Sequence, residues 1–407
     1  MPPEQSQPPL FAQLLNGVGK SLRALKIPLY ELSADVLCEK AMEQASTKLS
    51  DFGDPAFYEG MHCLLHSINS EVNLNFFGRM FLRKALIGLL QNRLLLTEDR
   101  KRRPEVYERP LIPPIVVTGL PRSGTTLLHR LLAADPAHRA IPFWETIRPL
   151  PDHDPDDRYE TVKKLIDLRI RLAPDLDRKH FIRAETPEEC IFLMGTTFMS
   201  TMFWISIPVV EYARWHNTAP RTQAYREYSW LLHVLQDVSP TRRLALKAPP
   251  HMGALDALYE VVPNAMVVQV LRNPVKTVTS LNSLIYTSHS TVAETVDVPR
   301  MAQTTLEMLE YDAKHNLAFR AAHPGRICDV YYTDLVADPI GTVQRIYAYF
   351  DMPWSDDSLR QLQTYISENP RGQHGSHRYQ AEDFGLTDAE IAERFGNYIE
   401  HFDLVNH

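Results

Sequence analysis

The chain has 407 residues, 44% hydrophobic and 23% charged, which is long and apolar enough to bury a sizeable core and excludes general disorder. Lysine and arginine total 43 against 50 aspartates and glutamates, a formal charge of −7. No global positive field exists to attract nucleic acid or an anionic membrane, so any anion site must be local.

The first nine residues carry no basic segment followed by an apolar one, so no signal peptide is expected. Cys38, Cys63, Cys190 and Cys328 stand at least 25 residues apart, which fits neither a zinc ligand set nor a disulfide framework. The expectation is a reducing, cytoplasmic setting and no metal.

Residues 1–108 read as an N-terminal helical cap, with capping signals at Ser33 and Asp54 and apolar residues at helical spacing from Phe76 and Phe77 through Leu89 and Leu90. The charged run from Glu98 to Glu105, closed by Pro110, Pro113 and Pro114, reads as a solvated surface connection. Residues 109–355 read as an α/β core. Ile115-Val116-Val117 is a short β-branched run between Pro114 and Gly119, followed at once by a helical pattern from Thr125 to Ala134. The theme recurs at Leu244 to Lys247 with a helix from His251, at Ala265 to Leu271 with a helix from Pro274, and at Ile327 to Tyr332 with a helix from about Asp338. Strands alternating with helices predict a P-loop-like parallel sheet flanked by helices, its ligand crevice at the carboxyl ends of the strands. Residues 356–407 read as a C-terminal segment expected to close that crevice.

Within the core, Cys190 to Val210 carry no charge over 21 positions, enough to span a bilayer. Five serines and threonines, Gly195 and Pro208 interrupt the run, and no basic cluster flanks it. It reads as a buried helix whose Met194, Phe198, Met202 and Trp204 suit the wall of an apolar pocket, with peripheral membrane contact as the open alternative.

The sharpest local signal is Gly119-Leu120-Pro121-Arg122-Ser123-Gly124-Thr125-Thr126, a phosphate-loop spacing with Thr125 where a nucleotide triphosphatase needs lysine. Backbone N–H groups at a helix N-terminus bind phosphate oxygens, Ser123, Gly124, Thr125 and Thr126 frame them, and Arg122 supplies the cation. The second signal is Val270-Leu271-Arg272-Asn273-Pro274, with Ser280 eight residues after the arginine. Asn273 is a natural N-cap and Pro274 a natural first helical residue, so Arg272 ends a strand and Ser280 lies two turns into the helix, both able to grip one phosphate.

These residues carry a resemblance. Pro121 to Thr126 resembles the 5′-phosphosulfate loop, and Arg272 with Ser280 resembles the 3′-phosphate motif, of sulfotransferases that use 3′-phosphoadenosine-5′-phosphosulfate. Leu246-Lys247-Ala248-Pro249-Pro250-His251 resembles the family's LKxPxH segment, and Val330 to Leu335, containing Tyr332, with Asp338-Pro339 resembles its YxDL…DP segment. Gly372 to Tyr379, containing Arg378, is similar to a glycine- and histidine-rich segment of one large, mostly bacterial branch, departing from it at Gln373 and Ser376 where relatives often carry basic residues. The resemblance implies sulfuryl transfer from that nucleotide to a hydroxyl, with Tyr332 and Arg378 added to the donor site.

Sulfuryl transfer resembles phosphoryl transfer in its loose in-line transition state, so the protein mainly positions the reactants and stabilises charge on the leaving oxygen. Arg122 and Lys247 can do this without a divalent metal. The related tyrosylprotein sulfotransferases place a loop arginine and a strand-end lysine at the sulfuryl group, which implies the same roles here. Three residues are candidates for the base that takes the acceptor's proton: Glu145, beside the apolar Trp144 and close to the position of the glutamate in the tyrosylprotein enzymes; His180, before the Glu185 to Glu189 acidic run; and His251, just after Lys247. The uncharged run and nearby Tyr212 and Trp215 point to a hydrophobic small-molecule or lipid acceptor. The rival readings are a P-loop kinase, which would need the loop lysine and an acidic strand end for magnesium, and a non-catalytic nucleotide-binding protein.

Overall fold

In the computed structural model, residues 32–45, 48–369 and 380–405 are described, with positions 13, 16 and 17 before them. Five strands form one parallel sheet: β1 (Ile115–Gly119), β2 (His138–Ala140), β3 (Arg243–Lys247), β4 (Met266–Leu271) and β5 (Ile327–Tyr331), in the order β2-β3-β1-β4-β5. Every residue of β1 and β4 is buried, as expected of central strands covered on both faces. Val117 pairs with Lys247 on one side and Val268 on the other, so β3 ends two residues short of the end of β1. After β1 the chain goes to the β2-β3 side and then crosses to β4 and β5. That reversal opens a crevice at the carboxyl end of β1, where the phosphate loop lies.

The N-terminal helices Ala34–Gln44, Phe57–Glu71 and Phe76–Arg102 share a core with Phe198, Phe203, Ile207 and Tyr212, so the cap is packed on the central part of the chain rather than standing apart from it. The expected loop after Leu96 is helical instead. The long helix runs to Arg102 and a second turn spans Pro104–Glu108, because Glu98 pairs with Arg102 and Asp99 with Arg103 at helical spacing while Arg100 lies 3.4 Å over the Trp230 ring. At the C-terminal side, Asp356–Glu368 packs Leu362 against the core around the Thr125–Ala134 helix. The 380–405 segment reaches the strand ends: Asn273 Nδ2 donates to the Leu404 carbonyl at 3.1 Å and the Tyr331 hydroxyl to the Phe402 carbonyl at 3.2 Å.

The uncharged Cys190 to Val210 run is buried but is not one helix. It breaks into Cys190–Met194, a tight turn at Gly195–Thr197, and Met202–Ser206, with Phe198 in the left-handed region at φ 56°. The hydroxyls that interrupt the run cause this. Thr197 donates to the Met194 carbonyl and Ser200 to the Ile191 carbonyl, satisfying backbone that a continuous helix would have paired itself. Among the described residues no helix is long and apolar enough to cross a membrane.

Candidate active site

The phosphate loop is shaped by glycine and by what surrounds it. Gly119 has φ 131° and a Cβ there would meet the Val270 carbonyl at 2.3 Å, while Gly124 has φ 104° and a Cβ would meet the Tyr332 ring at 2.7 Å. Only glycine lets the loop turn this tightly between β1 and β4 and open onto Tyr332. Thr118 Oγ1 donates to the Ala248 and Pro249 carbonyls, tying the loop's root to the turn after β3. Arg122 also takes a left-handed conformation, φ 68°, a strained position for a residue with a side chain. The buried Ser123 hydroxyl has no hydrogen-bond partner among the described residues, which suits a loop built to meet an anion.

Arg272 and Ser280 converge on this loop. Arg272 Nη1 donates to the Arg122 carbonyl at 2.8 Å and stacks 4.2 Å over the Tyr332 ring, while Arg122 Nε donates to Ser280 Oγ at 3.2 Å. The Asn273 side chain accepts from the Val275 amide and Pro274 opens the helix, as the residue types require. Arg272, Ser280 and Tyr332, from the chain that follows β4 and β5, thus gather around Arg122 of the loop. Arg378 lies outside the described residues.

Lys247 ends β3 almost fully buried. Its Nζ donates to Glu189 Oε1 at 2.7 Å and lies 3.5 Å from Thr126 Oγ1, so it is held beside the first turn of the helix that follows the loop. A buried lysine without a partner would be severely destabilised, and Glu189 supplies that partner. Lys179, on the short Pro174–Lys179 helix, adds another cation: it donates to Ser283 Oγ and Thr287 Oγ1, and burial, with the charges of Arg122 and Arg178, brings its pKa down to about 8.

The three candidate bases have different surroundings. His180 lines the cavity described below, and its Nε2 is 3.4 Å from Oε1 of the buried Glu188. Burial works against ionisation of Glu188, yet the neighbouring His180 and Lys247 charges and the Glu189 amide hold its carboxyl below the usual range. Glu145 is different: it is buried against β2, where Arg139 Nη2 donates to its Oε2 at 2.5 Å, and it does not line the cavity. Burial raises its pKa despite Arg139, but the carboxylate is committed to a structural ion pair. His251 is fully buried, its Nδ1 shares a 2.8 Å hydrogen bond with the Tyr225 hydroxyl, and burial lowers its pKa to about 3. It too lies off the main cavity wall. Of the three candidates His180 alone lines the cavity, and a base must come within reach of the proton it takes.

The cavity measures about 750 Å³. Arg122, Gly124 to Thr126, Arg272, Ser280 and Tyr332 form part of its wall, His180 and Glu189 also line it, and the rest is largely apolar. Phe77, Phe81 and Leu172 line it from the N-terminal cap and the Arg158–Leu172 helix, and Trp204, Leu284 and Met308 from the core. Glu188 and Glu189 escaped the sequence reading as site residues. The signal was two adjacent carboxylates directly before an uncharged run, which marks groups that burial forces to find partners.

The sequence model of the sulfotransferase family matches residues 113–356, more than half of the chain. The omega-hydroxy-beta-dihydromenaquinone-9 sulfotransferase Stf3 of Mycobacterium bovis is 25% identical over 298 residues, 70% of this chain and 75% of that protein. Its Mycobacterium tuberculosis counterpart matches to the same extent. Among solved structures, sulfotransferase STF9 from Mycobacterium avium superposes with a TM-score of 0.82 at 26% identity, covering 92% of this chain and 97% of that one. Sulfotransferase STF1 from Mycobacterium tuberculosis superposes with a TM-score of 0.76 at 30% identity, covering 91% and 100%.

Proposed function

The chain belongs to the sulfotransferase family, and from that premise we propose that it transfers the sulfuryl group of 3′-phosphoadenosine-5′-phosphosulfate to a hydroxyl of an apolar small-molecule or lipid acceptor. The observation that carries the donor reading is the meeting of two motifs 150 residues apart, Arg272 donating to the Arg122 carbonyl while Arg122 donates to Ser280. The unpartnered Ser123 hydroxyl fits a phosphate group. In this reading the Ser123 to Thr126 loop and Arg122 hold the 5′-phosphosulfate, and Arg272, Ser280 and Tyr332 hold the 3′-phosphate end.

The donor supplies an activated sulfuryl group, and the chain's residues do the rest. Lys247, fixed by Glu189, presents positive charge where charge grows on the leaving oxygen, in a site dry enough for that charge to count. His180 takes the acceptor's proton. Glu188 orients its ring and stabilises the imidazolium, the arrangement of a base with a buried carboxylate behind it. The largely apolar cavity excludes water, which would otherwise compete with the acceptor, and supports a hydrophobic alcohol as substrate. The relative named as a dihydromenaquinone sulfotransferase supports a lipid of this kind. The cysteines are free thiols, which supports a reducing, cytoplasmic setting.

The test is to incubate the purified enzyme with the sulfur-labelled donor and a panel of detergent-dispersed long-chain and isoprenoid alcohols, with hydrophilic sugars in parallel. Label appearing in the apolar alcohols and not in the sugars is the expected result. Transfer only to the sugars contradicts the acceptor reading.

A further inference from the structure

The cavity is lined by more cations than the donor site uses. Arg122 and Arg272 belong to the phosphate loop, Arg169 lies 3.9 Å from Asp177 Oδ1, and Lys84 is exposed to solvent. Arg148 remains, and it is half-buried. Burial lowers its pKa, and Asp152 and Asp157 oppose this only from a distance, since no carboxylate of the described residues comes within 4 Å of its guanidinium. Asp157 instead accepts from the Thr161 hydroxyl and lies 3.2 Å from His153. An arginine keeps its proton in such a setting, so its charge needs a partner from elsewhere.

The position of Arg148 is nonetheless fixed. Its Nη2 donates to Gln91 Oε1 at 3.0 Å on the Phe76–Arg102 helix. Asn92 Nδ2 donates to the Ile147 carbonyl at 2.9 Å and Arg158 Nη1 to the Arg148 carbonyl at 3.1 Å, so the backbone is held on both sides. The guanidinium lies beside Gly88, where a Cβ would meet Nη2 at 3.5 Å, and Gly88 itself lines the cavity. That contact puts the charge at the cavity wall. Nε and Nη1 donate to no described residue. Arg93, on the same helix as Gly88, is the contrast: Glu227 and three backbone carbonyls satisfy it, as a purely structural arginine requires. A cation that is preorganised and still has open donors is suited to a ligand.

The sheet order separates Arg148 from the donor cations. The Phe143–Ile147 helix that leads into it follows β2 at one edge of the sheet, whereas Arg272 follows β4 and Tyr332 follows β5 at the other. Lys247, at the end of β3, stands between them in strand order. Phe143, Ile147 and Leu89, neighbours of Arg148 and Gly88 in the chain, also line the cavity and give this side its apolar surface. We infer that Arg148 binds a carboxylate of the acceptor, carried on an apolar chain at the end remote from the hydroxyl that is sulfated. One guanidinium supplies one charge, which a carboxylate matches, and its open N–H groups suit carboxylate oxygens. Lys84 lies one turn before Gly88 on the same helix face and is exposed, so the charged end of the acceptor sits toward solvent while its chain crosses the apolar part of the cavity. The substrate class is a hydroxylated long-chain acid.

This assignment rests on the apolar-alcohol reading of the acceptor, and the experiment separates the two. Calorimetric binding is measured at neutral pH for straight-chain 1-alkanols and for the ω-hydroxy acids of the same lengths, with the enzyme saturated in 3′-phosphoadenosine-5′-phosphate so that the donor cations are occupied. The expected result is binding of both series, with the hydroxy acid about ten-fold or more tighter than the alkanol at a matching length, the difference that a hydrogen bond to a charged group makes. Arg148→Met, which keeps an apolar stem, should abolish that preference, and Arg148→Lys should retain part of it. On wild type, the methyl ester of the hydroxy acid should bind no tighter than the alkanol, a result that does not depend on how a variant folds. Hydroxy acids that bind no tighter than alkanols at every length overturn the carboxylate site and leave the acceptor reading standing. A preference kept by Arg148→Met, or shown equally by the methyl ester, also overturns the site. Binding of neither series overturns both readings.

Discussion

Lys247 Nζ donates to Glu189 Oε1 at 2.7 Å from the buried end of its strand, 3.5 Å from the hydroxyl of Thr126 in the phosphate-loop helix. The cation is therefore positioned before any substrate arrives, by a carboxylate that belongs to the cavity wall. Lys247→Ala should lower kcat about 10²- to 10³-fold, the range for removing one preorganised charge-stabilising group. Glu189→Gln should lower kcat less and raise the acceptor KM, because it frees the lysine without removing it. Steady-state kinetics on both variants check this, and an unchanged kcat in Lys247→Ala would contradict the role.

His180 and Glu145 make opposite predictions. His180→Asn should lower kcat by about 10²- to 10⁴-fold with the affinity for 3′-phosphoadenosine-5′-phosphate unchanged, as expected for loss of a general base. Glu145→Gln should leave kcat within a few-fold and lower the melting temperature by several degrees, because it strands the buried Arg139 guanidinium. Turnover lost in Glu145→Gln at unchanged melting temperature would return the base to Glu145.

Gly124→Ala combines a left-handed backbone, φ 104°, with a Cβ 2.7 Å from the Tyr332 ring. The strain falls on the loop and on the ring that Arg272 stacks against. Affinity for the bisphosphate should drop about ten-fold or more. Calorimetry reads this directly, with Gly325→Ala as the control, since a Cβ at Gly325 meets nothing within 4 Å.

Asp312 gives a pH signature. Burial raises its pKa from 3.8 to about 7, only partly opposed by Arg221. Below about pH 4 the carboxyl is protonated in both folded and unfolded chains and contributes nothing. Between there and pH 7 the folded chain holds a proton that the unfolded chain has lost, so stability falls as pH rises, with the full penalty present above pH 7. The penalty is on the order of a few kcal/mol. Asp312→Asn removes it, so the variant's advantage over wild type should grow from pH 4 to pH 7 in chemical denaturation. The histidines buried nearby titrate in both proteins and drop out of the difference. A pH-independent difference would contradict this assignment.

Much of the fold was legible because its signals are local. Ile115-Val116-Val117 followed by glycine, and Asn273-Pro274 after a β-branched strand, specify strand, turn and helix with few alternatives. The candidate site was legible where a cation ends a strand, as at Lys247 and Arg272. Less legible were surroundings set by a partner that is distant or on another element. Trp144 beside Glu145 suggested an apolar setting, but the residue that decides its fate is Arg139 on an edge strand, whose placement no local pattern reveals. His251 adjoins Lys247 in sequence, yet the turn at Pro249–Gly253 carries it into the core toward Tyr225. Hydroxyl side chains broke the Cys190 to Val210 run by bonding to its own carbonyls, an effect that composition counts record only as a weaker hydropathy.

If the phosphate loop and Arg272 form one donor site, loss of the arginine weakens binding of the whole bisphosphate. Calorimetric titration with 3′-phosphoadenosine-5′-phosphate, on wild type and on Arg272→Ala, with ATP in the absence of magnesium in parallel, tests it most directly. The expected result is micromolar binding of the bisphosphate by wild type, at least about ten-fold weaker binding by the variant, and none of ATP at the same concentrations. Equal affinity of wild type and variant for the bisphosphate, or tighter binding of ATP, would contradict it.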